Sequence, residues 1–218
     1  MPRAARIRWA CRTADSLALG FASGSFAGRG TPWVVTGAEA AVPPIDSGMP
    51  LTEDEFLRRL ANVEAVVSDV DGVLTDGRIG LSARGDEVRF FHMRDGMAVR
   101  LLQKEGIGVA WISAGMDTGL IARRAEMLDL KHVDVGPGDK GPRFLAMCRK
   151  LGVSPRDTLY IGDDVNDLAA IERAGASACP CDAAIAVRET VDFVLELEGG
   201  HGCFREVVEL LMEAREGR

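Results

Sequence analysis

The sequence lacks an excess of positive charge. Its 26 Lys and Arg stand against 33 Asp and Glu, a net charge of −7. That balance argues against attraction to nucleic acid or to an anionic membrane. Long hydrophobic runs are missing too, and none reaches the roughly 18 residues of a membrane span. The 5 cysteines (Cys11, Cys148, Cys179, Cys181 and Cys203) are odd in number and lack the paired spacing of a zinc site. Reduced thiols in a cytoplasmic protein are therefore expected. What is present is an ordinary globular composition, 47% apolar and 27% charged. The 218 residues suit one domain of about 150–200 residues plus an extra segment.

Residues 1–48 form that segment. They hold five Arg against three acids, with Gly, Ser, Ala and Pro and no sustained apolar period. The pattern superficially resembles an organelle transit peptide, but it has no continuous apolar core flanked as in a secretory signal. It reads as a disordered extension or as the product of a wrongly chosen upstream start, and the domain is expected over 49–218.

The chain is organised around V-E-A-V-V-S-D-V-D-G-V-L-T-D, residues 63–76. A short Val-rich run reads as a buried strand, and it ends in Asp69 and Asp71. Side chains alternate along a strand, so these two acids point the same way, towards the place where Gly72 lets the backbone turn. Carboxylates that close repel, so the pair must share a proton or be held by a cation. A merely solvated pair would have no reason to follow a buried strand. A second acidic group, Asp163, Asp164 and Asp167, lies in I-G-D-D-V-N-D-L at residues 161–168, again after a strand-like run.

The remaining pattern alternates strands and helices. Thr52 and Glu55 form a capping box for a short helix carrying Phe56, Leu57 and Leu60. Ile79 and Leu81, then Val88 and Phe90, alternate about a Gly–Asp turn and predict a β-hairpin. Asp95 is the expected N-cap of the next helix, with Met97, Leu101 and Leu102 inward and Gly106 ending it. Strands are expected at 107–113, 131–135, 158–162, 176–179 and 191–195. Helices are expected at 116–130, 139–151, 164–174, 183–187 and 203–216. Such alternation predicts an α/β fold with a doubly wound, mostly parallel sheet and helices on both faces. Ligands bind such sheets beyond the carboxyl ends of the strands, where Asp69, Asp71, Ser113 and Asp163 are expected.

D-V-D-G-V-L-T-D-G (69–77) resembles the first motif, D-x-D-G-x-[LT]-T-D, of phosphatases of the haloacid dehalogenase superfamily, and G-D-D-V-N-D (162–167) resembles their acidic fourth motif. The resemblance implies a HAD-like Rossmannoid fold and Mg²⁺ chemistry. Asp69 would be the nucleophile that forms an aspartyl-phosphate, and Asp71 the acid–base. Ser113 would donate to the phosphoryl group and Lys140 offset charge. The metal would be held by Asp69, the backbone carbonyl of Asp71 and Asp163, with Asp164 or Asp167 in support. Neither inter-motif gap, Asp71 to Ser113 or Ser113 to Lys140, has room for an inserted cap of roughly 50 residues.

F-x-x-R-D-G (91–96), Y-I-G-D-D-V-N-D-L (160–168) and G-G-H-G-C-F-R-E-V (199–207) narrow the resemblance. They are similar to the capless 3-deoxy-D-manno-octulosonate (KDO) 8-phosphate phosphatases and their sugar-acid phosphatase relatives, which serve lipopolysaccharide biosynthesis. This implies a sugar-phosphate substrate and a homotetramer in which neighbouring subunits complete the site. Arg94 and Arg205 would bind substrate, Arg205 from a flexible tail that reaches an adjacent site. One departure is Ser113–Ala114–Gly115, where relatives read Thr-Gly-Arg or Thr-Gly-Glu. Ala114 would be strained if its backbone needed φ > 0. The altered turn leaves open a nonulosonate 9-phosphate substrate, a broad small-molecule phosphatase, or a catalytically silent oligomeric binding subunit.

Overall fold

The computed structural model describes residues 51–115 and 118–217. The expected extension over 1–48 and the first two residues of the helix expected at 116–130 lie outside the described residues.

Strand β1 (Ala65–Ser68) is buried along its whole length because it lies inside a six-stranded sheet. It pairs in parallel with β4 (Gly108–Ser113) on one side and β6 (Thr158–Ile161) on the other. Strand β5 (His132–Val135) lies outside β4, while β7 (Ala176–Cys179) and then β8 (Phe193–Val194) lie outside β6. All five pairings are parallel. The order β5-β4-β1-β6-β7-β8 is doubly wound, as the β–α alternation predicts, and it places the switch in winding direction at β1, beside Asp69.

Alternation of side chains divides the interior into two layers. Val66, Trp111 and Ile161 point into one, with α1 (Glu53–Leu60), α2 (Met93–Lys104), α3 (Thr118–Met127) and α7 (Cys203–Glu216). Val67, Ile112 and Tyr160 point into the other, with α4 (Lys140–Leu151), α5 (Leu168–Ile171) and α6 (Ile185–Arg188). Because both faces are covered, the strands read as short continuous apolar runs rather than as an alternating pattern.

Local signals set the helix ends. Thr52 accepts the Glu55 N–H and the Glu55 carboxylate accepts the Thr52 N–H at 2.9 Å, the expected capping box. Asp139 caps α4, and Gly152 ends it in the left-handed region at φ 73°. The expected helix over 164–174 is instead a 3₁₀ turn, Val165–Asp167, followed by the single turn of α5. The Asp167 carboxylate folds back onto the N–H groups of Asp163 and Asp164, which tightens that first turn.

Two expectations about α2 are corrected. Its N-cap is His92, whose Nδ1 accepts the Arg94 N–H at 3.2 Å. Asp95 lies one turn further in, buried, and accepts the Arg205 N–H at 2.8 Å, so it caps α7 from outside that helix. Met97 is exposed, because the buried stripe of α2 runs through Ala98, Val99 and Leu102.

The expected hairpin is present as β2 (Gly80–Leu81) and β3 (Glu87–Val88), a two-stranded antiparallel flap separate from the main sheet. Ile79, Leu81, Val88 and Phe90 are all exposed on it. Only this flap and α2 separate β1 from β4, and only α3 separates β4 from β5, so there is no cap domain among the described residues.

Candidate active site

The site is built where β1 and β6 end. The Asp69 N–H donates to the Ile161 carbonyl at 2.8 Å, which ties the two strand ends together. Beyond Asp69 the chain turns at Gly72 (φ 90°), and the buried Thr75 closes the turn. Thr75 Oγ1 accepts the N–H groups of Gly72 and Gly77 at 3.4 and 3.3 Å.

Asp69 is almost fully buried. Its Oδ1 accepts the Val70 N–H at 2.6 Å, and its Oδ2 lies 2.8 Å from Lys140 Nζ. Lys140, the first residue of α4, is 1% exposed and also reaches Asp167 Oδ1 at 2.8 Å. Burial alone would pull the ammonium down, but Asp69 and Asp167 more than offset it, and its pKa is raised.

Asp167 is saturated with donors. Oδ1 accepts from Lys140 and from the Tyr160 hydroxyl (2.6 Å), and Oδ2 accepts the Asp163 and Asp164 N–H groups at 3.2 and 3.3 Å. Its role is therefore to fix Lys140 and the 162–167 loop. Asp163 is the opposite case: its Oδ1 is buried with no hydrogen-bond partner. Burial, then the neighbouring Asp69 and Asp167, push its carboxyl up to about 8. Burial and Asp167 likewise push Asp69 up to about 6, against the pull of Lys140.

Asp69, Asp163 and Asp167 each offer an oxygen within 4.8 Å of one another. One ammonium among three carboxylates, two of them buried and the third partly buried, leaves a deficit of positive charge. Hard oxygen donors with an unpartnered carboxylate oxygen suit a divalent cation such as Mg²⁺. Each oxygen of Asp167 already accepts from two donors, whereas each oxygen of Asp69 has one partner and Asp163 Oδ1 none, so Asp69 and Asp163 are the side chains best placed to hold one.

This electrostatics gives a testable pH dependence. Both carboxyls have folded-state pKa values above the usual 3.8. Their contribution to stability is therefore complete below about 4 and is lost as pH rises through about 6 for Asp69 and about 8 for Asp163. Metal-free protein is expected to melt at progressively lower temperature from pH 5 to pH 8.5, and the rise in Tm caused by Mg²⁺ is expected to grow over the same interval. Melting curves with EDTA and with Mg²⁺ test this; an Mg²⁺ shift that shrinks as pH rises would contradict it.

The other expected residues divide into two groups. Asp71 is half-buried beside the site, with Ser113 Oγ donating to its Oδ2 at 3.2 Å. Ala114 is not strained: among the described non-glycine residues only Asp129 has positive φ. Gly115 donates its N–H to Ser113 Oγ at 3.0 Å, and a Cβ there would lie only 3.1 Å from the same oxygen.

Asp164, Arg94 and Arg205 are not drawn in. Asp164 is exposed and caps the 3₁₀ turn through the Val165 N–H. Arg94 is exposed on the first turn of α2. Arg205 pairs with Glu209 on its own helix at 2.7 Å. The 199–202 stretch is not a free arm in this chain, since its backbone hydrogen-bonds to Val73 and Asp182.

Three residues escaped the sequence reading. Arg89, just after β3, has a side chain only 4% exposed, and its Nη1 lies 3.2 Å from Asp71 Oδ1, so the flap grips the second acid. Tyr160 anchors Asp167 from within the core. Arg143, one turn along α4 from Lys140, donates to the carbonyls of Ser113, Gly136 and Asp134 and pairs with the Asp134 carboxylate at 2.9 Å, fixing the ends of β4 and β5. Only Tyr160 carried a sequence signal, its place in the strand before the acidic loop.

A doubly wound sheet with two aspartates after its central strand, a buried lysine and an acidic loop on the neighbouring strand is an arrangement suited to phosphoryl transfer. Comparison with known proteins agrees. Residues 86–175 match a family model described as haloacid dehalogenase-like hydrolase. The KDO 8-phosphate phosphatase KdsC of Haemophilus influenzae is 38% identical over 158 residues, 72% of this chain and 87% of the relative. That of Yersinia pestis is 33% identical over 75% of this chain and 87% of its own length.

Solved structures give the same picture. A cobalt-bound form of the Haemophilus influenzae phosphatase aligns with a TM-score of 0.70 at 37% identity, over 72% of this chain and 92% of that one. The phosphatase of Moraxella catarrhalis in complex with a magnesium ion, a phosphate ion and KDO aligns at 0.72 and 31% identity, over 75% and 94%. The chain belongs to the haloacid dehalogenase superfamily of phosphatases, in the family of the KDO 8-phosphate phosphatases, and is a phosphoric monoester hydrolase.

Proposed function

We propose that the chain hydrolyses 3-deoxy-D-manno-octulosonate 8-phosphate to KDO and phosphate, with Mg²⁺ as cofactor, through an aspartyl-phosphate on Asp69. The observation that carries this reading is the Asp69 carboxylate held 2.8 Å from a buried Lys140 beside an unpartnered Asp163 oxygen. The 38% identity with a phosphatase of that substrate supports the choice of sugar acid.

A carboxylate oxygen of Asp69 attacks phosphorus, and the bond from phosphorus to the sugar oxygen breaks. Asp71 delivers a proton to that oxygen, which leaves as the alcohol. Asp71 then takes a proton from water, whose oxygen attacks the aspartyl-phosphate; the phosphorus–carboxylate bond breaks and Asp69 is regenerated. Lys140 and Ser113 offset and hold the equatorial oxygens, and Arg89 keeps Asp71 in place. Asp69, Asp163 and the Asp71 carbonyl would hold Mg²⁺, which when bound offsets negative charge on the phosphoryl group.

Purified protein is expected to release phosphate from the 8-phosphate faster than from nonulosonate 9-phosphates or simple sugar phosphates. EDTA is expected to stop the release and Mg²⁺ to restore it. Equal rates across the panel would favour a broad phosphatase, and no release from any substrate would favour a silent subunit.

The exposed apolar residues of the flap, with the neighbouring Met93 and Met97, support a second proposal, that copies of the chain associate over this face as a tetramer. A partner there would exclude water from a site that has no cap. Sedimentation analysis is expected to give a tetramer for the wild type and smaller species for Leu81→Asp with Phe90→Asp; a wild-type monomer with full activity would contradict this. The free thiols Cys148, Cys179 and Cys203 support a place in the cytoplasm. No helix among the described residues is long and apolar enough to cross a membrane.

A further inference from the structure

Residues 199–203 run against the turn that follows Asp69. The Gly200 N–H donates to the Val73 carbonyl at 2.9 Å, and the Cys203 thiol donates to the same carbonyl at 3.2 Å. The Gly199 N–H donates to Asp182 Oδ1 at 2.9 Å. No side chain fits between the two backbones. A Cβ on Gly199 would overlap the Gly72 carbonyl oxygen, and one on Gly200, which has φ 68°, would overlap the Asp76 backbone. The next layer is equally close, since a Cβ on Gly72 would overlap the Asp163 carboxylate. Tail, turn and carboxylate are thus stacked in direct contact.

The far end of the tail is pinned. Asp95 Oδ1 accepts the Arg205 N–H at 2.8 Å, and the Glu206 carboxylate accepts the N–H groups of Glu196 and Leu197 at 2.8 and 2.9 Å. Asp95 is 2% exposed, and it also faces His92 and Arg124.

We propose that residues 199–203, anchored by Asp95, are a positioning element for the metal site of their own chain: they press the Gly72–Asp76 turn against Asp163 and so set the spacing between Asp163 and Asp69. The proposal rests on the reading of these two acids as metal ligands. It gives the glycines of G-G-H-G a role in cis, and a different one from delivering Arg205 to a neighbour.

Mg²⁺ binding to the full chain, measured by calorimetry and by the Mg²⁺-induced shift in Tm, tests it without reference to turnover. Gly199→Ala inserts a methyl group between tail and turn and is expected to weaken Mg²⁺ binding by about 10–100-fold, as loss of an outer supporting contact does. Asp95→Ala releases the anchor without obstructing the glycine contact, and is expected to weaken Mg²⁺ binding in the same direction by several-fold. Should Gly199→Ala fail to fold, Asp95→Ala decides. Wild-type Mg²⁺ affinity in a folded Asp95→Ala protein, or in a folded Gly199→Ala protein, would overturn the proposal. Asp163→Asn separates the two levels: if it leaves Mg²⁺ affinity unchanged, the reading of the metal site has failed rather than the role of the tail.

Discussion

Asp69→Asn is expected to reduce phosphate release by about 10⁴-fold or more, the scale seen when a covalent nucleophile is removed. Asparagine has nearly the same shape, and its carbonyl oxygen can still accept the Val70 N–H that Asp69 Oδ1 accepts at 2.6 Å. What disappears is the anion. A neutral amide cannot attack phosphorus, and it offers Lys140 and a divalent ion a weaker partner. The fold should survive, because Asp69 is buried close to Asp163 and Asp167, and removing one like charge lessens their repulsion. The expected result is therefore a protein that melts at or above the wild-type temperature without metal, yet turns over almost nothing. Initial rates and melting curves on the same preparation check both halves.

Lys140→Met is expected to damage stability as well as activity. The lysine is 1% exposed, and its ammonium lies 2.8 Å from both Asp69 and Asp167. Methionine keeps most of the buried stem and removes only the charge. Asp69 and Asp167 then face each other and Asp163 in a buried space without a counter-ion. Breaking a buried pair in this way costs about 3–5 kcal/mol, which for a chain of this size corresponds to a fall in Tm of about 6–20 °C. The Tyr160 hydroxyl, 2.6 Å from Asp167, cannot replace a cation. Part of the loss is expected to be recovered on adding Mg²⁺, which would supply the missing positive charge. Thermal melts with and without Mg²⁺ measure both effects, and an unchanged Tm in EDTA would show that the ammonium does not hold these acids.

The alternation of strands and helices and the place of the site were legible because their signals are local. A Val-rich run ending in Asp69 and Asp71 reads as a buried strand delivering charge to the carboxyl end of the sheet. Thr52, Asp139 and Gly152 mark helix ends through bonds to their own neighbours. Asp95 misled for the opposite reason: an acid near a helix start is ordinarily a cap for that helix, but its partner here is the Arg205 N–H, more than a hundred residues away. Met97 misled because the helical period does not reveal which face of α2 meets the sheet.

Arg89 was illegible for a similar reason. A hairpin arginine is normally solvated, and only the fold of the flap brings it to Asp71. The assignments made through resemblance fared according to how much of each residue's environment lies within the chain. Asp69, Lys140, Asp163 and Asp167 converge, since adjacent parallel strands and one helix start carry them. Arg94 and Arg205 do not: Arg94 is exposed at the start of α2, and Arg205 pairs with Glu209 on its own helix.

Asp69 is the residue expected to carry the phosphoryl group, and the most direct measurement is to find it there. Asp71→Asn is expected to slow hydrolysis of the intermediate, so that variant, mixed with Mg²⁺ and substrate and quenched in acid, can be digested and its peptides weighed. The expected result is the added mass of one phosphoryl group on the peptide containing Asp69, located on Asp69 itself. A phosphoryl group on another side chain, or none on the protein while wild-type turnover proceeds under the same conditions, would contradict it.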